Sequence, residues 1–264
     1  MDIGQLFLYM PVWVMYLITA GLVFAAFEGG FHLGRYWCRR SHKEKDSLAG
    51  PMVGATLGLL AFMLSFTFGM AASHFDTRRQ LVLDEANAIW SAYSMSGLLA
   101  EASCAESQKL LREYVDIRLD AAKSWSNLRA MYVRLNEIQD RLWAIAMAGE
   151  WKGAGAGSSW LYVQCLSDMI NLQAKRITSA MQGRIPPIIW IVLFALAVCG
   201  MAAMGYHAGL IGVRGFFVYQ ILILTFSLVL LLIYDLDRPR QGLFKVSQAA
   251  MVELQQRLAE PSKF

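Results

Sequence analysis

Four stretches of this chain carry no charged side chain and are each long enough to cross a bilayer. They are Leu6 to Phe27, Ala49 to Ala72, Ile185 to Tyr206 and Phe216 to Tyr234. A hydrocarbon core of about 30 Å takes roughly 20 helical residues. The period-two alternation of outer-membrane strands is not seen. Composition agrees with a membrane setting: 56% of residues are hydrophobic, 17% are charged, and mean hydropathy is +0.40. A soluble domain of this length carries more charge. The first stretch is too long for a signal-peptide core, and no small-residue cleavage site follows it. Phe27-Glu28-Gly29-Gly30 leads instead into a basic run, so the stretch reads as a retained span. The expected fold is all-α: a polytopic membrane protein with four transmembrane helices and a helical bundle between the second and the third.

The bundle is read from a change in character after the second span. Charges of both signs alternate there and nearly cancel. Leu128, Met131, Leu135, Ile138, Leu142 and Ile145 are spaced alternately three and four apart, a seam that wants a partner helix. Leu110, Tyr114, Ile117 and Ala121 make a similar stripe. The stretch Gly149 to Ser159 breaks the helix. Another helix is expected from Trp160 to Gln182, before Pro186-Pro187 opens span three. The expected organisation is residues 1–73 with spans one and two, 74–184 as the bundle, 185–234 with spans three and four, and 235–264 as a tail packing on the bundle.

The net charge of +4 is local rather than global. Arg35, Arg39, Arg40, Lys43 and Lys45 crowd the loop between spans one and two. Beside a span, such a run serves topology and anionic lipid headgroups rather than nucleic acid. No enzyme signature is found, and no catalytic, cofactor or metal residue is assigned. His32, His42, His74 and His207 lack zinc spacing. The stretch Gly153 to Ser159 lacks the lysine of a phosphate-binding loop. Glu28 reads as an interfacial carboxylate. Glu85 and Asn87 read as polar residues that cap or bridge helices inside the bundle. Asp235, Asp237 and Arg238 follow span four, and Pro239 and Gly242 turn the chain. They are expected to anchor the tail through ion pairs, with a cation site as the lesser alternative. Cys104 and Cys165 are the only cysteines of the bundle segment.

The second span holds the richest pattern. In GPMVGATLGLLAFMLSFTFGMAASHFDTRRQ, glycines stand at Gly50, Gly54 and Gly58, and Phe62 and Phe66 continue the same helical face. The run then meets Asp76, Arg78 and Arg79. Two readings of this face stay open. It is either a small-xxx-small packing surface with ordinary phenylalanine contacts, or the lining of a narrow apolar passage in a ring of helices.

Three further strings carry a resemblance. FDTRRQLVLDEANAIWSAY, PPIIW and DLDRPRQGLFKVSQ, in this order and spacing, resemble the bacterial bestrophin-like family over nearly the whole chain. More distantly, LAFMLSF is similar to the pore-neck phrase of bestrophin anion channels. The resemblance implies a homo-oligomer, a pentamer by analogy, in the bacterial inner membrane, conducting small anions through a neck at Gly58, Phe62 and Phe66. Phe75 and Arg79 stand where a post-neck aromatic and arginine follow. Where bestrophins often have Arg-Asn-Asn past the neck, this chain has Thr67-Phe68-Gly69. The alternative function is a non-conducting membrane scaffold or sensor whose helical domain binds a partner.

Orientation divides the two lines of argument. The resemblance implies a cytosolic helical domain. The short loops carry Arg35, Arg39, Arg40, Lys43, Lys45 and Arg214 on one side, against Arg238, Arg240 and Lys245 on the other. Counting these alone favours a cytosolic first loop and an extracytoplasmic helical domain. That orientation exposes Cys104 and Cys165 to an oxidising space, where a disulfide becomes possible.

Overall fold

The computed structural model describes residues 11–40, 49–123, 128–148, 151, 156–212, 216–238 and 244–259. Among these, the chain forms eight α-helices: α1 (Val12–Arg40), α2 (Ala49–Met95), α3 (Glu101–Lys123), α4 (Leu128–Ala148), α5 (Ala156–Gln182), α6 (Pro187–Ile211), α7 (Phe216–Asp237) and α8 (Ala249–Ala259). A 3-10 turn at Ser96–Leu98 follows α2, and Leu99 meets Trp151 in an isolated antiparallel bridge. No strand occurs among the described residues. The helices α1, α2, α6 and α7 are long and apolar enough to span a membrane. The all-α, four-span expectation therefore holds, and the chain is a multi-pass membrane protein.

The chain divides into two compact units. The first comprises Met1–Phe75 with Arg184–Lys245, the second Asp76–Gly183 with Val246–Phe264. The boundary falls inside α2.

In the first unit, α1 and α6 approach closely because both present glycines at the crossing. A Cβ on Gly30 would run into the Ala202 carbonyl, and one on Gly34 into that of Tyr206. Reciprocally, Gly205 lies against the Phe27 carbonyl and Gly209 against that of Phe31. Each helix thus carries a Gly-xxx-Gly pair. With no water to expel inside a bilayer, such backbone-to-backbone packing supplies dispersion that larger side chains would prevent. This explains a difference from the sequence reading, which ends the first span near Phe27. The glycines there do not break α1; they fit it against α6, and the helix runs on to Arg40. Arg35, Arg39 and Arg40 therefore stand on a helix rather than in a loop, and Lys43 and Lys45 lie outside the described residues. Around the crossing, Val23, Phe27, Leu60, Leu64, Leu193 and Met201 form a buried core. Pro187 occupies the first turn of α6, where an amide proton has no partner to lose. Gly212 closes that helix with φ 75°, its N–H bonding the Ala208 carbonyl at 3.0 Å.

In the second unit, the seam on α4 is realised: Leu135, Ile138, Leu142 and Ile145 are buried. On α3 the buried stripe is Leu111, Tyr114, Val115, Arg118 and Leu119, so Leu110 and Ile117 sit at its edge. Tyr162, Leu166 and Met169 face them from α5. Met251, Leu254 and Leu258 bring α8 into the same core, and Gln255 donates to Asp116 at 2.6 Å. The break between α4 and α5 is shorter than expected, since α5 starts at Ala156. Residues 149–150 and 152–155 lie outside the described set.

Candidate functional site

Two groups of residues stand out, one in each unit. The first is a face of α2. Gly58, Phe62 and Phe66 are four apart, so the helix places them on one side. Phe62 is 66% exposed and Phe66 57%. Nothing within 4 Å would meet a Cβ on Gly54 or Gly58. The opposite side of the same helix is packed: Leu60, Leu64, Thr67 and Ala71 are buried. The apolar stretch of α2 is the least buried of the four spans, 17% against 33%, 28% and 33% for α1, α6 and α7. The Gly-xxx-Gly motifs of α1 and α6 are consumed by packing within the chain; Gly54 and Gly58 are not. One flank of the face borders an apolar cleft of about 370 Å³ between Ala61, Ser65 and Phe68 of α2 and Thr225, Phe226 and Val229 of α7.

The other residues singled out from the sequence fall elsewhere. Phe75 is half-buried against the core of the first unit, on the side of α2 away from Phe66. Arg79 is exposed and belongs to the second unit. Asp235 is buried and accepts the Phe244 amide at 3.0 Å. Asp237 accepts the Ile185 amide at 2.9 Å, fixing the entry to α6. The Arg238 guanidinium lies 4.2 Å from the Tyr234 ring centroid and donates to the Tyr234 hydroxyl. Asp237 thus serves the backbone just before α6, and Asp235 serves the backbone at Phe244, beyond the end of α7. Pro239, Arg240 and Gly242 lie outside the described residues, as does Arg214. Glu28 sits within α1, 3.8 Å from His32.

The second group is a polar network inside the second unit. Glu85 of α2 is fully buried. Its Oε2 accepts from Arg118 of α3 at 2.8 Å and from Arg176 of α5. Its Oε1 lies 2.9 Å from the Tyr114 hydroxyl, which is also 2.6 Å from the Gln173 side-chain amide. Gln139 of α4 bonds Gln173 in turn. Tyr114 has one proton to give, and the side-chain oxygens of Glu85 and Gln173 are both placed to accept it. Four helices are thereby tied to one carboxylate. Burial pushes the Glu85 carboxyl up, but Arg118 and Arg176 outweigh it and hold it below the ordinary value. Burial, and then the Glu85 charge, push the Tyr114 hydroxyl well above the ordinary phenol value.

Sequence reasoning finds Glu85 in this role. It misplaces Asn87, which is exposed, and misses Arg118, Gln139, Gln173 and Arg176. The signal is present: Tyr114 and Arg118 on α3, and Gln173 and Arg176 on α5, fall on the buried face of each helix. Elsewhere in the second unit, Ser107 and Tyr162 share a 2.5 Å hydrogen bond, and burial pushes that phenol up to about 12. Cys104 and Cys165 are free thiols, half-buried near it. Burial raises the Cys165 thiol, as does the Asp168 charge.

A four-span helical membrane protein with a second, helical unit between spans two and three is the class that this fold defines. The bestrophin-like domain matches residues 21–251, and the chain belongs to the bestrophin-like family. No curated protein and no solved structure matches it significantly.

Proposed function

We propose that this protein is an oligomeric channel for small anions, with its neck formed by copies of α2. One observation carries the reading. The Gly58, Phe62 and Phe66 face is turned away from the chain's own core, on the span that its own fold covers least. Arranged around an axis, several copies of this face make stacked rings of phenylalanine. An apolar constriction of this kind gates by dewetting. The ring edges carry partial positive charge, which suits a passing anion better than a cation. The glycines bring the helix backbones close, which keeps the passage narrow. Family membership supports a channel-like role.

Flux from liposomes tests the reading. Reconstituted wild-type protein is expected to pass chloride, and Phe62→Ala with Phe66→Ala to raise or deregulate that flux by widening the constriction. Silence of both proteins across pH, calcium and voltage would leave the alternative, a non-conducting scaffold or sensor.

A further inference from the structure

The charges around Glu85 do not balance. One carboxylate faces two guanidinium groups, and both reach the same oxygen, Oε2. Two like charges are thus held against one atom in the interior of the second unit. Tyr114 is neutral, and Gln139 and Gln173 carry no charge. The groups acting most strongly on Arg118 are Glu85, Tyr114 and Tyr132, and those on Arg176 are Glu85, Arg118 and Tyr114, with no second carboxylate in either set. The remainder is one positive charge. Arg118 is 7% exposed, and its Nε is buried with no acceptor. The Arg176 side chain keeps 19% exposure, so one end of the pair communicates with solvent. Burial and then the neighbouring Arg118 charge hold Arg176 below the usual guanidinium range despite Glu85. A buried charge without a full counter-charge is costly, and the Arg118 Nε donor without an acceptor adds to that cost.

We propose that Arg118 and Arg176 form a binding site for a small monovalent anion of the chloride class, inside the helical unit and separate from α2's outward face. One surplus charge selects a monovalent ion: a doubly charged oxyanion would leave the network negative. Arg118 Nε and the solvent-side donors of Arg176 are the groups that hold it. Such an ion stabilises the junction of α2, α3 and α5, so the unit responds to the anion whether or not the protein conducts.

Thermal unfolding of the full-length protein in detergent reads the site. Gluconate is exchanged for chloride, bromide or nitrate at constant ionic strength. Wild type is expected to show a saturable rise in Tm, on the order of 5 °C at a hundred times the dissociation constant. Arg176→Gln leaves Glu85 and Arg118 as a balanced pair, and its Tm is expected to be independent of the anion. Phe62→Ala with Phe66→Ala is expected to keep the response, which separates this site from the neck. Bromide-soaked wild-type crystals should place an anomalous peak against Arg118 and Arg176, a readout that needs no variant. A wild-type Tm indifferent to the anion, a response surviving in Arg176→Gln, or no bromide at the pair overturns the proposal.

Discussion

At the scale of single residues, Glu85 joins α2 to α3 and α5 in the second unit. Its charge is stabilised by two arginines, so its folded pKa lies below the unfolded one. The sign follows from linkage: a depressed carboxylate contributes stability that is fully present above the unfolded pKa of about 4.3 and is lost as pH falls through the lower folded value. We expect the Tm of the helical unit to drop steeply below about pH 4.3 and Glu85→Gln to flatten that acid limb. The same substitution leaves the buried Arg118 and the half-buried Arg176 without a counter-charge and is expected to cost about 3–5 kcal/mol at neutral pH. Denaturant titration at pH 7 and pH 4 measures both effects; an unchanged acid limb in Glu85→Gln would assign the acid sensitivity to other carboxylates. By contrast, the Arg134 pairs with Glu113 and Glu137 are exposed ion pairs that contribute little.

At the scale of elements, two sets of glycines in the membrane helices behave differently. Those of the α1–α6 crossing meet backbone carbonyls; those of α2 meet nothing within the chain, apart from Gly50, whose Cβ would come 3.3 Å from the His207 ring. We expect Gly205→Val to force the crossing apart and destabilise the first unit by at least about 1–3 kcal/mol, the usual range for overpacking. Gly58→Ala should leave that unit as stable or slightly more so, since alanine is favoured over glycine in a helix by about 1 kcal/mol. If the proposed neck is right, however, Gly58→Ala alters flux while Tm stays constant. Thermal unfolding and liposome flux on the two variants separate the roles. Equal losses of stability would mean that Gly58 packs after all.

At the scale of the whole molecule, the proposed neck requires several copies around one axis. Mass measurement of the detergent-solubilised complex is expected to give a ring-sized homo-oligomer, with five subunits the number that bestrophin resemblance suggests. A monomer removes the neck. Orientation is a separate question, because the basic residues of the short loops and the bestrophin resemblance point in opposite directions. Arg35, Arg39 and Arg40 lie toward the C-terminal end of α1, and together with Lys43, Lys45 and Arg214 they outnumber Arg238, Arg240 and Lys245 six to three, which favours a cytosolic side there. Alkaline phosphatase fused after Phe264 is expected to be active, consistent with an extracytoplasmic helical unit. Fluorescence from a cytosol-only reporter at the same position would instead establish the bestrophin orientation.

Spans, fold class and the α4 seam were legible from residue order alone, because length without charge and a three-four spacing are local properties that the bilayer and the helix period enforce on any chain. The outward position of Phe62 and Phe66 was not. The same glycine spacing occurs on α1, α2 and α6, and it serves internal packing on two of them and none on the third. That difference depends on which helix faces which, a long-range fact that no local spacing contains. The pairing of Glu85 with Arg118 and Arg176 has the same origin. Helix periodicity puts each residue on the buried face of its own helix, but only the convergence of α2, α3 and α5 brings two guanidinium groups to one carboxylate oxygen.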